Sequence, residues 1–219
     1  MPVHNQADHV ESVVVGYEAA LARVGCPHEL VLVTNACRDE SPSICRDLAR
    51  HFQSVRAIDS TPGGWGLAVK LGLRESRGNW LAYTNSARTP PDQLAAIVQE
   101  ALRRPGTVVK ARRRARTPLR KLGSSLYNWE GRLLFGIAGG DVNGTPKVFP
   151  RHFSGLLSLT RDDDLIDLEF MVVCRREGYP VVEVPVRSGQ RHGGESTTRL
   201  KSALMLYAGA YRLWSEWRE

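Results

Sequence analysis

The stretch Glu29–Phe52, ELVLVTNACRDESPSICRDLARHF, contains the unit that decides the fold. Its first six residues, Glu29–Thr34, are mostly Val and Leu, and such a run predicts a strand buried on both faces. Ser41 and Pro42 then predict the start of a helix, with Ser41 as the N-cap and Pro42 at the first helical position. The helix is expected to end near Phe52. A buried strand followed at once by a helix is typical of parallel α/β folds.

The same alternation of strands and helices continues along the chain. Further strands are predicted at Val55–Ile58, Trp80–Thr84, Thr107–Lys110 and Val181–Val186. Further helices are predicted at Gly64–Arg77, Pro90–Arg104, Leu119–Phe135, Asp162–Arg176 and Leu200–Trp217. No linker, repeat or low-complexity tract interrupts the pattern. We therefore predict one α/β domain over residues 1–219, with a mostly parallel sheet covered by helices on both faces.

The N-terminal segment Pro2–Asn5 reads as the turn that follows a first strand, but no strand-forming run precedes it. Two explanations are open at this stage. Either the printed sequence begins late in the domain, or the sheet lacks its first strand. A sheet edge left open here would need cover, because unpaired backbone groups invite pairing with other chains.

The composition is that of a folded protein with a basic surface. The 219 residues are 42% hydrophobic and 24% charged, and the formal net charge is +7. These values exclude a disordered chain and favour anionic partners. Nucleic acid, acidic lipid and phosphorylated small molecules are all anionic, but no RRM, KH or zinc-finger pattern is present, so no nucleic-acid partner is expected.

The cysteines and the apolar runs bear on the cellular location. The four cysteines lack the spacing of a zinc site and are predicted to be reduced thiols. The N-terminal residues lack the basic and apolar regions of a signal peptide. No apolar run reaches the roughly 20 residues of a membrane-spanning helix. We expect a cytoplasmic protein, either free or peripheral to the inner face of the membrane.

Seven segments, spread over nearly the whole chain, carry a resemblance to one known family. They are Pro2–Gln6 (PVHNQ), Leu32–Asp39 (LVTNACRD), Gly64–Leu73 (GWGLAVKLGL), Trp80–Pro91, Asp141–Phe149 (DVNGTPKVF), Asp167–Phe170 (DLEF), and Val184–Val186 with Arg191–Ser196 (RHGGES). In this order they resemble the motifs of family 2 glycosyltransferases, especially the polyprenyl-phosphate (dolichol-phosphate) mannosyl- or glucosyltransferase group. The resemblance implies a GT-A, Rossmann-like fold. It also implies transfer of a hexose, with inversion, from a nucleotide-diphosphate sugar to a polyprenyl phosphate or a saccharide.

The resemblance also implies a donor site at the ends of the strands, where ligands of α/β folds bind. Its nucleotide-sugar-binding residues would be Pro2, Asn5, Asn35, Asp39, Gly64, Gly66, Lys70, Asn85 and Arg88. Asn35 can both donate and accept a hydrogen bond, although an asparagine in a loop also simply favours a turn. Glycines at a helix start allow a close approach of backbone to phosphate, and Lys70 is within reach as a point charge. A plain tight turn is the alternative for these glycines.

The family's acidic D-x-D motif is degenerate, since Asn85-Ser86-Ala87 stands in its place. Mg²⁺ and Mn²⁺ prefer charged oxygen ligands, and these three residues supply none. Either cation is compatible with the family, but its usual ligands are missing and no metal-binding residue is predicted. One hypothesis is a metal-independent enzyme in which Arg88, Lys70 and Arg191 neutralise the leaving diphosphate. The alternative is a non-catalytic nucleotide-sugar-binding or scaffolding relative.

The predicted catalytic residues are Asp141, Asp167 and Arg191, on the acceptor side that the resemblance implies. Transfer to a hydroxyl needs a general base, whereas a phosphate acceptor is already anionic. A loop cap for Asp141 and a solvated helix acid for Asp167 are the structural alternatives. The run Asp162–Asp164 is interpreted as helix N-terminal acids rather than as a metal cluster.

A basic run at Arg112–Arg116, joined by Arg120 and Lys121, precedes a helix that contains Tyr127, Trp129 and Phe135. Basic and aromatic helices suit an anionic membrane surface, and such a surface fits a lipid-phosphate acceptor. Solvated basic faces over ordinary core aromatics are the open alternative.

Overall fold

The structure is a computed structural model that describes residues 1–114, 129–137, 139–187 and 200–217. Its strands are β1 Pro2–Val3, β2 Leu30–Asn35, β3 Val55–Ser60, β4 Trp80–Tyr83, β5 Val108–Arg114, β6 Lys147–Pro150 and β7 Val181–Arg187. Its helices are α1 Val10–Ala22, α2 Ser41–His51, α3 Trp65–Glu75, α4 Pro91–Arg103, α5 at residues 129–135, α6 Ile166–Arg176 and α7 Leu200–Glu216. A short 3-10 helix covers Ser154–Leu157.

The strands form two hydrogen-bonded groups. In the first group β1, β2 and β3 are parallel and lie in that order. In the second the order is β4-β6-β5-β7, with β5 and β7 parallel and β6 antiparallel to both of its neighbours. The α/β architecture with a mostly parallel sheet is thus confirmed. A first strand is present as the two residues Pro2 and Val3, which pair with Val33 and Thr34 of β2.

The core follows from the apolar runs that the sequence displays. Every residue of β2 is buried, because helices cover it and parallel neighbours flank it. Around α6, the rings of Tyr83 and Phe149 meet Phe170 edge-on, with centroids 5.7 and 5.4 Å away. No helix among the described residues is long and apolar enough to cross a membrane.

Besides β1 and the 3-10 helix, two further elements were not predicted from the sequence. Helix α1 contains Val13, Val14 and Val15, which favour strands, yet Val10, Val14, Tyr17 and Leu21 form one buried stripe along it. Tyr17 also donates its hydroxyl hydrogen to the carbonyl of Thr89, 2.9 Å away, which ties α1 to the start of α4. Strand β6 is short and begins with a lysine, although all four of its residues are buried.

Two helix starts differ from the prediction. The prediction that Ser41 is the N-cap of α2 is wrong, because Glu40 is the N-cap and Ser41 is already helical. The Ser41 hydroxyl instead accepts a hydrogen bond from the backbone N–H of Gln6, at 2.8 Å. Helix α6 begins at Ile166 rather than Asp162. The chain before it is held by Glu169, whose carboxylate accepts the N–H groups of Thr160 and Arg161 at 2.9 Å each.

This preceding segment packs against the start of α3. The carbonyl of Asp162 accepts the N–H of Leu67 at 3.0 Å. A methyl group at Gly66 would fall inside van der Waals distance of the Arg161 carbonyl oxygen and 2.8 Å from that of Asp163. Gly64, with φ 155°, is in the backbone region that favours glycine. The two glycines therefore permit a close approach of the chain's own backbone.

We expect Gly66→Ala to lower the free energy of unfolding by about 3 kcal/mol, because the added methyl group meets backbone that cannot rotate away. Gly131→Ala is the matched control, since a methyl there would lie 3.6 Å from Leu168, which is an ordinary contact. That control should be neutral or more stable, by up to about 1 kcal/mol, because alanine favours a helix. Urea unfolding of both variants measures the difference, and equal stabilities would contradict the close packing.

Candidate active site

The loops that follow β1, β2, β3 and β4 meet at one edge of the fold. The amide oxygen of Asn35, at the end of β2, accepts the N–H of Gly64 at 2.8 Å. The amide oxygen of Asn5, which has a φ of 49°, accepts the N–H of Arg38 at 2.8 Å. Ser86, after β4, donates to the side-chain oxygen of Gln6 at 2.7 Å. The structure therefore brings together the segments predicted to form the donor site.

Asp39 links two of these loops. Its carboxylate accepts the N–H of Ala7 at 3.0 Å and that of Ser41 at 3.1 Å. Burial acts to raise the pKa of Asp39, but these hydrogen bonds outweigh it and leave the pKa below its ordinary value. The carboxylate is thus ionised and holds the β1 loop against the start of α2.

The segment in place of the acidic motif is a turn tied into the protein. Ser86 and Ala87 are 1% and 4% exposed. The amide oxygen of Asn85 accepts the N–H of Ala87 at 3.1 Å, and its carbonyl accepts those of Arg88 and Thr89. The hydroxyl of Ser86 lies 3.2 Å from the carbonyl oxygen of Pro2. The side chains of Ser86 and Ala87 are therefore internal, and the side chain of Asn85 bonds within the loop.

These residues do not fit a divalent cation. The turn provides no carboxylate, and the hydroxyl of Ser86 is already bonded to Gln6. Within the described ranges, no group of three His, Cys, Asp or Glu residues is placed to hold a metal ion. Hard divalent cations depend on such charged oxygen ligands in proteins.

Lys70 is engaged within the chain. Its ammonium group donates to the carbonyl of Thr160 and pairs with Asp162, both at 2.7 Å. The lysine therefore helps to hold the segment before α6 against α3. Its predicted contact with a phosphate stays a prediction.

Asp141 holds an arginine of the basic run. The carboxylate accepts two side-chain hydrogen bonds from Arg113, at 2.8 and 2.9 Å, and the backbone N–H of Arg113 at 2.9 Å. Burial acts to raise the pKa of Asp141, but the guanidinium of Arg113 outweighs it and lowers the pKa below its ordinary value. Asp141 is a buried anion that fixes the direction of Arg113.

A row of polar side chains crosses the second sheet. Tyr83, Lys147, Lys110 and Glu183 stand at paired positions on β4, β6, β5 and β7. We call these four residues the polar row. Both of its lysines are 0% exposed, and Lys110 pairs with Glu183 at 3.0 Å. Lys110 also donates to the carbonyl of Asp141.

Asp167 closes the polar row from α6. It pairs with Lys147 and accepts the hydroxyl hydrogen of Tyr83 at 2.8 Å. Burial lowers the pKa of Lys147 to about 8, although Asp167 acts in the opposite direction. Asp167 is 5% exposed, so it is an internal ion partner rather than a solvated helix acid.

Sequence reasoning did not identify Lys110, Lys147 or Tyr83 as site residues, and it included Arg113 only as a member of the basic run. The sequence does place each lysine next to apolar residues, Lys110 at the end of VVK and Lys147 at the start of KVF. A lysine that is buried with such a run needs a charged partner, so this pattern could have indicated both. Arg191, predicted to be catalytic, lies outside the described residues. The catalytic roles of Asp141 and Asp167 stay predictions, and the structure gives each of them a buried cationic partner.

Comparison with known proteins decides the family. Residues 1–157 match the family model described as glycosyl transferase family 2. The chain belongs to this family. Its relatives include the undecaprenyl-phosphate 4-deoxy-4-formamido-L-arabinose transferases of Enterobacter sp. (strain 638), 25% identical over 201 residues, and of Klebsiella pneumoniae, 23% identical over 201 residues. Each alignment covers 90% of this chain and 60% of the relative, so this family member spans less than two thirds of those relatives' length.

Solved structures show that the fold is that of GT-A glycosyltransferases. Mannosyl-3-phosphoglycerate synthase from Rubrobacter xylanophilus superposes with a TM-score of 0.77 at 18% identity, covering 100% of this chain and 74% of that one. Glucosyl-3-phosphoglycerate synthase from Mycobacterium tuberculosis, solved with Mn²⁺ and UDP, gives a TM-score of 0.73 at 16% identity, covering 96% and 75%.

We expect Asp141→Asn to lower the free energy of unfolding by about 2 kcal/mol at neutral pH, because Arg113 loses its buried anion. A carboxylate with a lowered pKa stabilises the fold above its unfolded pKa, and this stability is lost as pH falls through the folded pKa. The gap between wild type and variant should therefore shrink below about pH 4. Asp47→Asn is the control, because the Asp47 side chain is 67% exposed and its ion pair should contribute under about 0.5 kcal/mol. Urea unfolding at pH 7 and pH 3 measures both variants, and a gap that does not change with pH would contradict the pairing.

Proposed function

We propose that this family 2 glycosyltransferase transfers a hexose from a nucleotide-diphosphate sugar to a polyprenyl phosphate without a divalent cation. One observation carries the proposal. The loops after β1 to β4 meet around the Asn85–Ala87 turn, whose polar side chains bond within the protein, and Arg88 follows this turn directly. The named undecaprenyl-phosphate transferases support a lipid-phosphate acceptor. The glucosyl-3-phosphoglycerate synthase solved with UDP supports a nucleotide-diphosphate donor.

On the donor side, the reaction needs positive charge near the leaving diphosphate. The anomeric carbon loses its bond to the nucleotide diphosphate, which leaves with the electron pair. The positive end of the α3 helix dipole lies near these loops, and Arg88 adds a guanidinium. These groups substitute for the cation that Asn85, Ser86 and Ala87 do not fit.

On the acceptor side, the end of β5 presents Arg113 to an anion. Asp141 takes the Nε and one Nη hydrogen of its guanidinium, and the side chain is 37% exposed, so its outer edge can bind a phosphate. The side chain of Arg112 beside it is 48% exposed. An oxygen of the acceptor phosphate attacks the anomeric carbon directly. That oxygen is already anionic, so this step needs no general base.

The internal bonding of the Asn85–Ala87 turn also favours a second function, which is the binding of a nucleotide sugar without turnover. Both functions predict donor binding, and they differ in product formation. Incubation with UDP- and GDP-hexoses and undecaprenyl phosphate, followed by separation of the lipid product, distinguishes them. Product above the level of heat-treated protein eliminates the non-catalytic function.

We expect titration calorimetry to give the same dissociation constant for the preferred UDP- or GDP-hexose in Mg²⁺ and in EDTA, within about twofold. Arg88→Met should weaken binding about tenfold, because a charged hydrogen bond to phosphate contributes more than 1 kcal/mol. Arg23→Met is the control, since Arg23 is 63% exposed and pairs with Asp92 on α4. It should bind as wild type does. Binding that requires Mg²⁺ would contradict the metal-free donor site.

We also propose that α5 contacts an anionic membrane surface, where a lipid acceptor resides. Trp129 and Leu133 are 56% and 66% exposed, and as residues i and i+4 they share one face of the helix. Arg132 lies between them in sequence, and Arg112 is near in the fold, since both contact the 139–140 turn. Exposed apolar side chains with basic neighbours are typical of interfacial helices.

We expect the double variant Trp129→Ser, Leu133→Ser to bind phosphatidylglycerol vesicles about tenfold more weakly in a sedimentation assay, because each side chain removes apolar area from water. Val15→Ser with Leu102→Ser is the matched control, since these residues are exposed on α1 and α4. Salt at high concentration should release part of the wild-type protein. Equal losses in both double variants would contradict a contact through α5.

A further inference from the structure

A cavity of about 370 Å³ lies between α6, β7 and the turn after α5. Its walls include the apolar side chains of Ile137, Met171 and Val181. Tyr179 forms another wall and is held in place by stacking on Phe153, with ring centroids 4.0 Å apart. The volume is in the range of small-molecule sites. The cavity is separate from the donor loops.

The cavity adjoins the polar row. Asp167, Met171, Cys174 and Arg175 follow one face of α6 at helical spacing. Asp167 touches the row and the other three line the cavity. Glu183 belongs to the polar row and also lines the cavity, but Lys110 and the N–H of Gly140 already bond to its carboxylate. The cavity therefore offers mainly hydrocarbon contact, with the Arg175 guanidinium among its lining groups.

A short turn separates the cavity from the arginine of the acceptor side. Gly139 lines the cavity, and Asp141, two residues later, binds Arg113. A methyl group at Gly139 would approach the Glu183 carboxylate to 2.8 Å, so the turn packs tightly against β7. A molecule with a phosphate at Arg113 can extend an apolar tail over this turn.

The cavity also borders the segment that follows α5. Trp129 and Leu133 lie on the surface of α5, whereas Ile137, just after the helix, is 4% exposed and lines the cavity. The proposed membrane contact and the cavity are therefore on neighbouring parts of the chain. Apolar side chains at one end and a guanidinium at the other match an amphipathic lipid phosphate.

We propose that this cavity binds isoprenoid units of the acceptor beyond the first, with the phosphate at Arg113. The inference rests on the proposed lipid-phosphate acceptor and adds the site that selects its chain. A second sugar or a free cation fits less well, because Glu183 is already paired and the other walls are mostly apolar.

The test compares two acceptors and two variants. Val181→Trp fills the cavity, whereas Val182→Trp is the matched control on the opposite face of β7, where Val182 packs on a different part of the core. For undecaprenyl phosphate, Val181→Trp should raise KM about tenfold with kcat unchanged, because the tail loses apolar contact. For butyl phosphate, which reaches Arg113 but not the cavity, KM should stay within about twofold of wild type. Equal effects of the two variants, or an unchanged KM in Val181→Trp, would overturn the proposal.

A second measurement does not depend on turnover. A polyprenyl phosphate with a diazirine in its third isoprene unit is irradiated with wild-type protein, and the labelled peptides are identified by mass spectrometry. Labels at Ile137, Met171 or Val181 support the cavity, and labels confined to other segments overturn it. If wild type binds nucleotide sugars but glycosylates no acceptor, the proposed function fails, and the labelling still decides whether the cavity takes the lipid.

Discussion

The burial of two lysines side by side in the second sheet is the constraint on which the rest of the structure depends. Lys110 and Lys147 are paired across β5 and β6 and have no exposed surface. An unpaired buried charge is expensive, so the fold must bring Glu183 and Asp167 to them. Removing one partner of such a pair typically costs about 3–5 kcal/mol. The position of α6 over the sheet and the path of the 139–141 turn both follow from this requirement.

The same requirement connects the interior to the surface of the site. Lys110 binds the carbonyl of Asp141, and the carboxylate of Asp141 directs Arg113. The outward charge is thus oriented by groups that do not reach solvent. Arginine suits this place because its planar fork can bind one carboxylate and still offer hydrogens to a phosphate.

Much of the fold could be predicted from the sequence, because the alternation that begins at Glu29–Phe52 is a local signal. Strand β6 was missed because its four residues, one of them a lysine, are too few to show an alternating apolar pattern. Helix α1 was missed because its valines favour strands. Both elements are decided by tertiary burial. The meeting of the loops after β1 to β4 could be predicted from their motifs. The role of Ser86 and the pairing of Lys70 with Asp162 could not, because each depends on partners about 80 or more residues away.

The contact between α3 and the segment before α6 has a mechanical consequence. Leu67 and Lys70 bond to Asp162 and Thr160, and Gly64 and Gly66 leave no space between the two backbones. The start of α3 is bonded to the end of β2 through Gly64 and Asn35, while Glu169 anchors the segment before α6 to α6 itself. The segment before α6 therefore links α3 to α6 by direct hydrogen bonds. A displacement of the start of α3 would move this segment and, through Glu169, act on α6.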